Sequence, residues 1–154
     1  LFSDSSFERI QRLCTEFFDT QLYQFIWDES CYTQEELFDS KLSKLALNLI
    51  LVASNTMIYG GKLKVSVQKE GKSAKLIIEA IADQLRSNNE INQVFFDDEV
   101  GSEDNGILTT NNAQYFYTKL LIERNHGKLT FDLGMQDCKL VLTMPQYTPE
   151  SEAV

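Results

Sequence analysis

This sequence of 154 residues is short of basic side chains and of cysteines, and each shortage excludes a class of function. Lys and Arg together number 14 against 23 Asp and Glu, which gives a formal net charge of −9. A negative charge of that size opposes non-specific attraction to phosphate backbones, so we expect no nucleic-acid partner. The cysteines share no close spacing and are odd in number, so neither a disulfide framework nor a zinc site is predicted; they are Cys14, Cys31 and Cys138.

The sequence also lacks a segment that would cross or enter a membrane. No apolar run is long enough to span a bilayer, and no charged start is followed by a short apolar segment that would export the chain. We therefore expect a cytoplasmic protein without a membrane partner. The chain begins at Leu1 without a Met, which suggests a fragment with something functional upstream.

The residues that are present suffice for one globular domain. Apolar residues make up 43% of the chain and charged residues 24%, which are ordinary values for a domain with a real core. We assign residues 1–145 to this domain and residues 146–154 to a C-terminal tail.

The segment from Asp39 to Ile58 is the one around which the rest of the chain is organised, and it predicts one long buried helix. Its apolar residues go nearly all the way round a helix with 3.6 residues per turn, so other elements must cover it on most sides. Two amides, Asn48 and Asn55, interrupt the apolar surface. A buried amide persists only where its hydrogen-bonding groups find partners or bind something, so the question of function depends on these two residues.

Helical spacing predicts two further amphipathic helices. A capping box formed by Ser5 and Glu8 starts the first, whose apolar residues are Phe7, Ile10, Leu13, Cys14, Phe17 and Phe18. The last helix runs from Thr110 to Asn125 and ends at Gly127, and its apolar face consists of Ala113, Phe116, Tyr117, Leu120 and Leu121. A short helix is also predicted between Asp83 and Phe96.

Alternation of apolar and polar residues predicts the strands. Tyr23, Phe25 and Trp27 form one strand, and two hairpins follow at residues 62–80 and 129–144. Residues 29–38 are interpreted as a polar connection, and residues 97–106 as an acidic mobile loop. The predicted fold is a two-layer α/β sandwich, of the α+β class, in which three helices cover one face of a mixed, mostly antiparallel sheet.

Two stretches, together with this order of elements, carry a resemblance to a known family. Residues 47–65 read LNLILVASNTMIYGGKLKV, and residues 119–129 read KLLIERNHGKL. Over about Ser5 to Pro145 the chain resembles the ATP-binding domain of sensor histidine kinases and their GHKL relatives. In that family the long helix carries two asparagines one turn apart, and the second holds magnesium over the ATP phosphates. Asn48 fills the first place, but Val52 stands at the second, and valine has no donor atom for magnesium.

Both glycine-rich boxes of that family are also missing. An Asp-x-Gly-x-Gly box that contacts adenine is replaced by residues 79–86, EAIADQLR, which contain no glycine. The phosphate-binding lid is replaced by residues 105–111, NGILTTN, behind a loop whose carboxylates would repel a triphosphate. The resemblance therefore implies the fold without its ATP chemistry, and so without a nucleotide cofactor or a metal.

One branch of the superfamily has this combination. The chain is similar to the C-terminal domain of the ChpT-type histidine phosphotransferases of alphaproteobacteria, which also replace the second asparagine by an aliphatic residue and lack the glycine boxes. The resemblance implies that phosphate is carried on a histidine in an N-terminal two-helix hairpin, which forms a homodimer. It also implies transfer between the receiver domains of a hybrid histidine kinase and of response regulators. The hairpin and its phosphoacceptor histidine are expected upstream of Leu1, so no catalytic residue is assigned within this chain.

Four residues have both a functional and an ordinary interpretation. His126 is the only histidine, but it precedes Gly127 at a helix end, where a cation favours the negative terminus, and we do not favour it as the phosphate carrier. Asn48 is either a relic ligand or a polar residue bonded to a neighbouring backbone, and we favour the second. Lys62 and Lys64 would attract an acidic receiver domain, although solvated edge lysines are more common.

Three functions are weighed. The favoured one is the C-terminal domain of a phosphotransferase, which is an enzyme only together with an upstream histidine. The alternative is a pseudokinase-like interaction scaffold without phosphotransfer. An ATP-binding kinase is least favoured, because of Val52 and the missing glycines.

Overall fold

The computed structural model describes residues 6–18, 22–57, 59–85, 94–95, 110–134 and 136–146. Within them it shows the helices α1 (Ser6–Phe17), α2 (Glu29–Thr33), α3 (Ser40–Ser54) and α4 (Thr110–Arg124). A short 3-10 helix, Glu35–Leu37, connects α2 to α3. The strands are β1 (Tyr23–Trp27), β2 (Gly61–Glu70), β3 (Ser73–Ile81), β4 (Lys128–Leu133) and β5 (Asp137–Pro145).

The strands form one sheet in the order β1-β2-β3-β5-β4. β1 is parallel to β2, and every other neighbouring pair is antiparallel. α3 packs between α1 and α4 and also contacts β2, β3 and β5. Alternate residues of the sheet are buried against this helical layer, namely Leu63, Val65, Val67, Leu76, Ile78, Ala80, Leu140 and Leu142. The predicted two-layer sandwich with a mixed, mostly antiparallel sheet is confirmed.

The central helix is shorter than the sequence predicts. Asp39 caps its start, where the carboxylate accepts a hydrogen bond of 2.8 Å from the Leu42 N–H. The helix ends at Ser54, so the predicted end at Ile58 is wrong. The hydroxyl of Ser54 donates to the Leu51 carbonyl at 2.7 Å, and that of Thr56 donates to the Ala53 carbonyl at 2.6 Å. The same two carbonyls also accept backbone N–H groups, of Asn55 and Thr56 respectively, so side-chain and backbone hydrogen bonds together close the end of the helix.

The interpretation of residues 29–38 as a polar connection is also wrong. They form α2 and the 3-10 helix, and they bury Cys31, Leu37 and Phe38. β1 ends where Trp27 pairs with Val65, so β2 continues beyond its neighbour. Side chains of α2 and the residue after it bond this exposed edge: the Val67 N–H donates to the Ser30 hydroxyl at 3.1 Å. The Gln34 amide donates to the Val67 carbonyl at 3.2 Å. The connection therefore completes the hydrogen bonding of the edge of β2.

Both amphipathic helices form. The first buries four of its six predicted apolar residues, including Phe18 just after α1, whereas α4 buries a face that differs from the predicted one. In α1 the buried residues are Phe7, Ile10 and Cys14, whereas Leu13 is 49% exposed and Phe17 is 62% exposed. In α4 the buried residues are Tyr115, Thr118 and Ile122, whereas Tyr117 is 45% exposed and Leu120 is 44% exposed. Apolar residues cover a wide arc of each helix, and spacing alone does not tell which part of the arc packs against the sheet.

Several other predictions concern residues outside the described ranges. They include Ser5 of the capping box, most of the helix expected between Asp83 and Phe96, the acidic loop at 97–106 and all but the first residue of the tail. None of the helices in the described part of the chain has the length and apolarity needed to cross a membrane.

Candidate functional site

The position at which the resemblance implies a magnesium ligand is closed. Val52 lies in the second half of α3 and is 0% exposed, and Leu49 and Ala53 beside it are equally buried. All three belong to the hydrophobic core. Magnesium requires oxygen ligands and usually keeps some of its water, and neither is compatible with a packed aliphatic side chain. Among the described residues, no group of three His, Cys, Asp or Glu side chains is placed to hold a metal. The residues at this position therefore do not fit a magnesium-bound nucleotide.

Both amides of the central segment have hydrogen-bond partners, and the favoured interpretation of Asn48 as a residue bonded to a neighbouring backbone is confirmed. Asn48 is half-buried, and its Nδ2 donates to the Lys44 carbonyl at 2.8 Å, within its own helix. Asn55 is exposed at the C-cap of α3, and its Nδ2 lies 3.4 Å from the hydroxyl oxygen of Tyr115 on α4. Asn48 thus bonds its own helix, while Asn55 links the end of α3 to α4.

His126 is exposed and follows the last turn of α4. Its φ of 59° lies in the left-handed region, which a helix-ending residue often adopts. The Gly127 N–H donates to the Ile122 carbonyl at 2.9 Å, and the Asn125 Nδ2 donates to the Leu121 carbonyl at 2.8 Å. Among the described residues, no side chain bonds the imidazole of His126 to orient it.

Lys62 and Lys64 both lie on the face of the sheet that the helices leave open. Lys64 Nζ is 3.7 Å from Asp28 Oδ1, and Lys64 stands opposite Glu79 in the register of β2 and β3. The pKa of Asp28 is held below its ordinary value of 3.8, first by hydrogen bonds from Ser30 and then by the charge of Lys64. The charge of Lys64 is therefore partly compensated within the domain.

A wide depression lies at the ends of β2 and β3, with a volume of about 610 Å³. It is lined by residues 59–62 and 81–84 and by Gln136. This is where the resemblance places the adenine-binding box, yet only Asp83 and Lys62 contribute charge there. Gly60 and Gly61 on its wall have φ values of 85° and 150°, which a residue with a side chain rarely adopts.

Sequence reasoning missed a groove between the start of α3 and the end of α4, which we call the α3–α4 groove. Its main part has a volume of about 360 Å³ and is lined by Ser40, Lys41, Lys44, Leu45, Leu121 and Asn125. A smaller part of about 140 Å³ shares Lys41 and Asn125 with it and adds Asp39, Arg124 and His126. Lys44 Nζ lies 5.8 Å from the centre of the Tyr117 ring beside the groove. Lys41 and Lys44 belong to α3, whereas Arg124 belongs to α4, far away in the sequence. No local sequence motif therefore predicts that these cations line one groove.

The profile of the family described as "Histidine phosphotransferase C-terminal domain" matches residues 7–137. A comparison with curated protein sequences found no match.

Solved structures with a similar fold include a bacterial phosphotransferase determined at 1.7 Å, with a TM-score of 0.67 and 19% sequence identity. The match covers 86% of this chain and 60% of that one, so the chain spans less than two thirds of the phosphotransferase. The nucleotide-free catalytic domain of histidine kinase ThkA has a TM-score of 0.59 and 11% identity, and 92% of this chain and 91% of that one are covered. For the mycobacterial sensor histidine kinase MprB the TM-score is 0.57 and the identity 14%, with 91% of each chain covered. At these identities the structures show a shared fold.

Proposed function

The chain belongs to the family of histidine phosphotransferase C-terminal domains, and from this premise we propose that it supports phosphate transfer between receiver domains without binding ATP. The observation that carries the proposal is the closed position at Val52, which is 0% exposed where a kinase-like domain would need a magnesium ligand. Because this position offers no magnesium ligand, we infer that the phosphate comes from another phosphoprotein rather than from ATP.

The proposed reaction has two balanced steps. A nitrogen of the phosphoacceptor imidazole attacks the phosphoryl group of a receiver aspartate, so that an N–P bond forms as the acyl phosphate P–O bond breaks. The carboxylate of the first receiver leaves. The carboxylate of a second receiver then attacks the phosphohistidine, so that an O–P bond forms as the N–P bond breaks and the imidazole is released. No nucleotide is consumed, since the phosphoryl group only changes carrier.

We place the phosphoacceptor histidine upstream of Leu1, on a two-helix hairpin that forms a homodimer. Residues 1–145 are the proposed supporting domain, and residues 146–154 its tail. The proposed partners are receiver domains of a hybrid histidine kinase and of response regulators, in the cytoplasm. Lys62 and Lys64 are proposed only as secondary contacts for an acidic receiver, because both lie on the open face of the sheet but Lys64 is already 3.7 Å from Asp28.

The alternative is an interaction scaffold that carries no phosphate. It is favoured by the same closed position and by the environment of His126, which no described side chain orients. The two functions differ in whether the longer protein accepts phosphate.

Transfer of radiolabel tests the proposal. Receiver domains from the same genome are phosphorylated with labelled acetyl phosphate, freed of the reagent and mixed with this chain or with the longer protein that includes the upstream histidine. We expect label on the longer protein within seconds to minutes, transfer to a second receiver, and no dependence on ATP. This chain alone should stay unlabelled. Label on this chain that disappears in His126→Ala would show that His126 is the carrier, and a longer protein that never takes label would favour the scaffold.

A further inference from the structure

The proposed function requires a surface that holds a receiver domain, and we propose that the α3–α4 groove is that surface, with an acidic face of the receiver as its occupant. This inference rests on the proposed function and adds a location to it. Three observations carry it: the excess of cations in the groove, the charge compensation on the other cationic face, and the apolar residues beside the groove.

The groove concentrates positive charge in a chain whose formal net charge is −9. Lys41, Lys44 and Arg124 line it, against a single carboxylate, that of Asp39. That carboxylate is already engaged, because it accepts a hydrogen bond of 2.8 Å from the Leu42 N–H as the cap of α3. Within the part of the chain that the structure describes, neither Lys44 nor Arg124 forms an ion pair with a carboxylate. Their charges are therefore available to carboxylates of a partner, which favours an acidic occupant.

The open face of the sheet has more lysines than the α3–α4 groove, but carboxylates on neighbouring strands compensate more of their charge. Lys64 stands opposite Glu79 on β3, and Glu79 stands opposite Lys139 on β5. Lys139 in turn stands opposite Asp132 on β4. Together with the contact of 3.7 Å between Lys64 and Asp28, this row alternates positive and negative charge. Alternating charges on neighbouring strands attract one another, so this face offers a receiver a weaker positive field than the groove does.

The residues beside the groove favour a protein over a small anion. Tyr117 is 45% exposed and Leu120 is 44% exposed on the outer surface of α4. The ammonium group of Lys44 lies 5.8 Å from the centre of the Tyr117 ring, so a cation and an aromatic ring present one joint surface. Tyr and Arg are the residues that most often carry binding energy in protein interfaces. A phosphate ion would use the cations and leave the apolar residues exposed.

Charge reversal in the longer protein tests the location. The groove variant is Lys44→Glu with Arg124→Glu, and the matched control is Lys69→Glu with Lys72→Glu, at the exposed end of the first hairpin. Both change the net charge equally. Binding is measured by calorimetry with each receiver that exchanges label with the longer protein. At about 0.05 M salt we expect the groove variant to weaken binding about tenfold and the control to change it by less than about twofold. The tenfold difference should shrink at about 0.3 M salt, because screening shortens the reach of charges.

Further variants separate the loss of charge from misfolding, and a competing anion separates a protein-binding surface from a small-anion site. Lys44→Gln with Arg124→Gln should weaken binding in the same direction by a smaller factor, with an unchanged unfolding midpoint, which excludes misfolding. Equal weakening by the groove variant and the control would overturn the inference, as would a larger effect from Lys62→Glu with Lys64→Glu. Displacement of the receiver by inorganic phosphate at about 10 mM would show a small-anion site instead and would also overturn it. If no receiver exchanges label with the longer protein, the proposed function falls first, and the inference falls with it.

Discussion

The two halves of α3 differ in what they present to the surroundings. The first half carries Lys41 and Lys44, which are exposed on the wall of the α3–α4 groove. The second half carries Val52 and Ala53, which are 0% exposed. In a kinase-like domain the second half would face the nucleotide, yet here it is part of the core. The helix therefore has the place in the fold that it has in such domains, while its exposed residues, Ser40, Lys41 and Lys44, lie at the opposite end.

The largest expected effect comes from the side of α3 that faces the core. Leu49→Ala should lower the free energy of unfolding by about 2–5 kcal/mol, because Leu49 is 0% exposed and its removal leaves a cavity. Leu47→Ala is the matched control, since Leu47 lies on the same helix and is half-buried. Urea unfolding measures both. Equal losses for the two variants would contradict the described orientation of α3.

A polar substitution at the closed position should come next. Val52→Asn should lower the free energy of unfolding by about 1–3 kcal/mol, because the amide would be buried without a hydrogen-bond partner. The same variant should not gain nucleotide binding, since both glycine boxes are still missing. Urea unfolding combined with a nucleotide titration checks the two statements. An unchanged stability would mean that position 52 is open to solvent, against its 0% exposure.

The cap of α2 should contribute less and should depend on pH. Asp28 accepts a hydrogen bond of 3.0 Å from the Ser30 N–H, and Asp28→Ala should cost about 1 kcal/mol at neutral pH. The pKa of Asp28 is lowered from 3.8 in the folded chain, so the folded state favours the carboxylate. The Asp28 carboxylate therefore stabilises the folded state above pH 3.8. This stabilisation is lost as the pH falls towards the lower pKa that Asp28 has in the folded chain. The wild type and the variant should converge in stability in that acidic range, and a constant difference would contradict this reading.

The cysteines give a prediction without a change in sequence. Cys14, Cys31 and Cys138 are each 0% exposed, and burial raises the pKa of each thiol to about 12. An alkylating reagent should leave the native protein unmodified and label all three thiols in urea, as mass spectrometry would show. Because the unfolded thiols lose protons from about pH 9 upwards and the folded ones only near 12, stability should fall as the pH rises through this window. Rapid labelling of native protein would contradict the burial.

The sequence predicts the layers of this fold better than the faces of its helices. Period-two alternation places Leu63, Val65 and Val67 correctly against the helices, because the side chains of a strand have only two directions. A helix has a continuous range of directions, and α4 carries apolar residues over a wide arc. Its buried side consists of Tyr115, Thr118 and Ile122, which include a polar hydroxyl. The pattern of apolar residues therefore predicts the wrong buried face for α4.

The end of α3 and the connection before it depend on hydrogen bonds that a pattern of polarity does not show. Ser54 and Thr56 bond carbonyls of the last turn, and Ser30 bonds the edge of β2. For the site, the sequence locates the substitution at position 52, and this substitution, the missing glycine boxes and the order of elements together correctly identify the family. The α3–α4 groove was missed because Lys44 and Arg124 come together only when α3 packs against α4.

The most direct test of the account is a calorimetric titration of the chain with ATP and magnesium. The fold is that of histidine-kinase catalytic domains, yet Val52, which stands where the resemblance implies a magnesium ligand, is 0% exposed. We therefore expect no saturable heat of binding up to millimolar ATP, with or without magnesium, for the wild type and for Val52→Asn alike. Saturable binding of ATP that requires magnesium would contradict it.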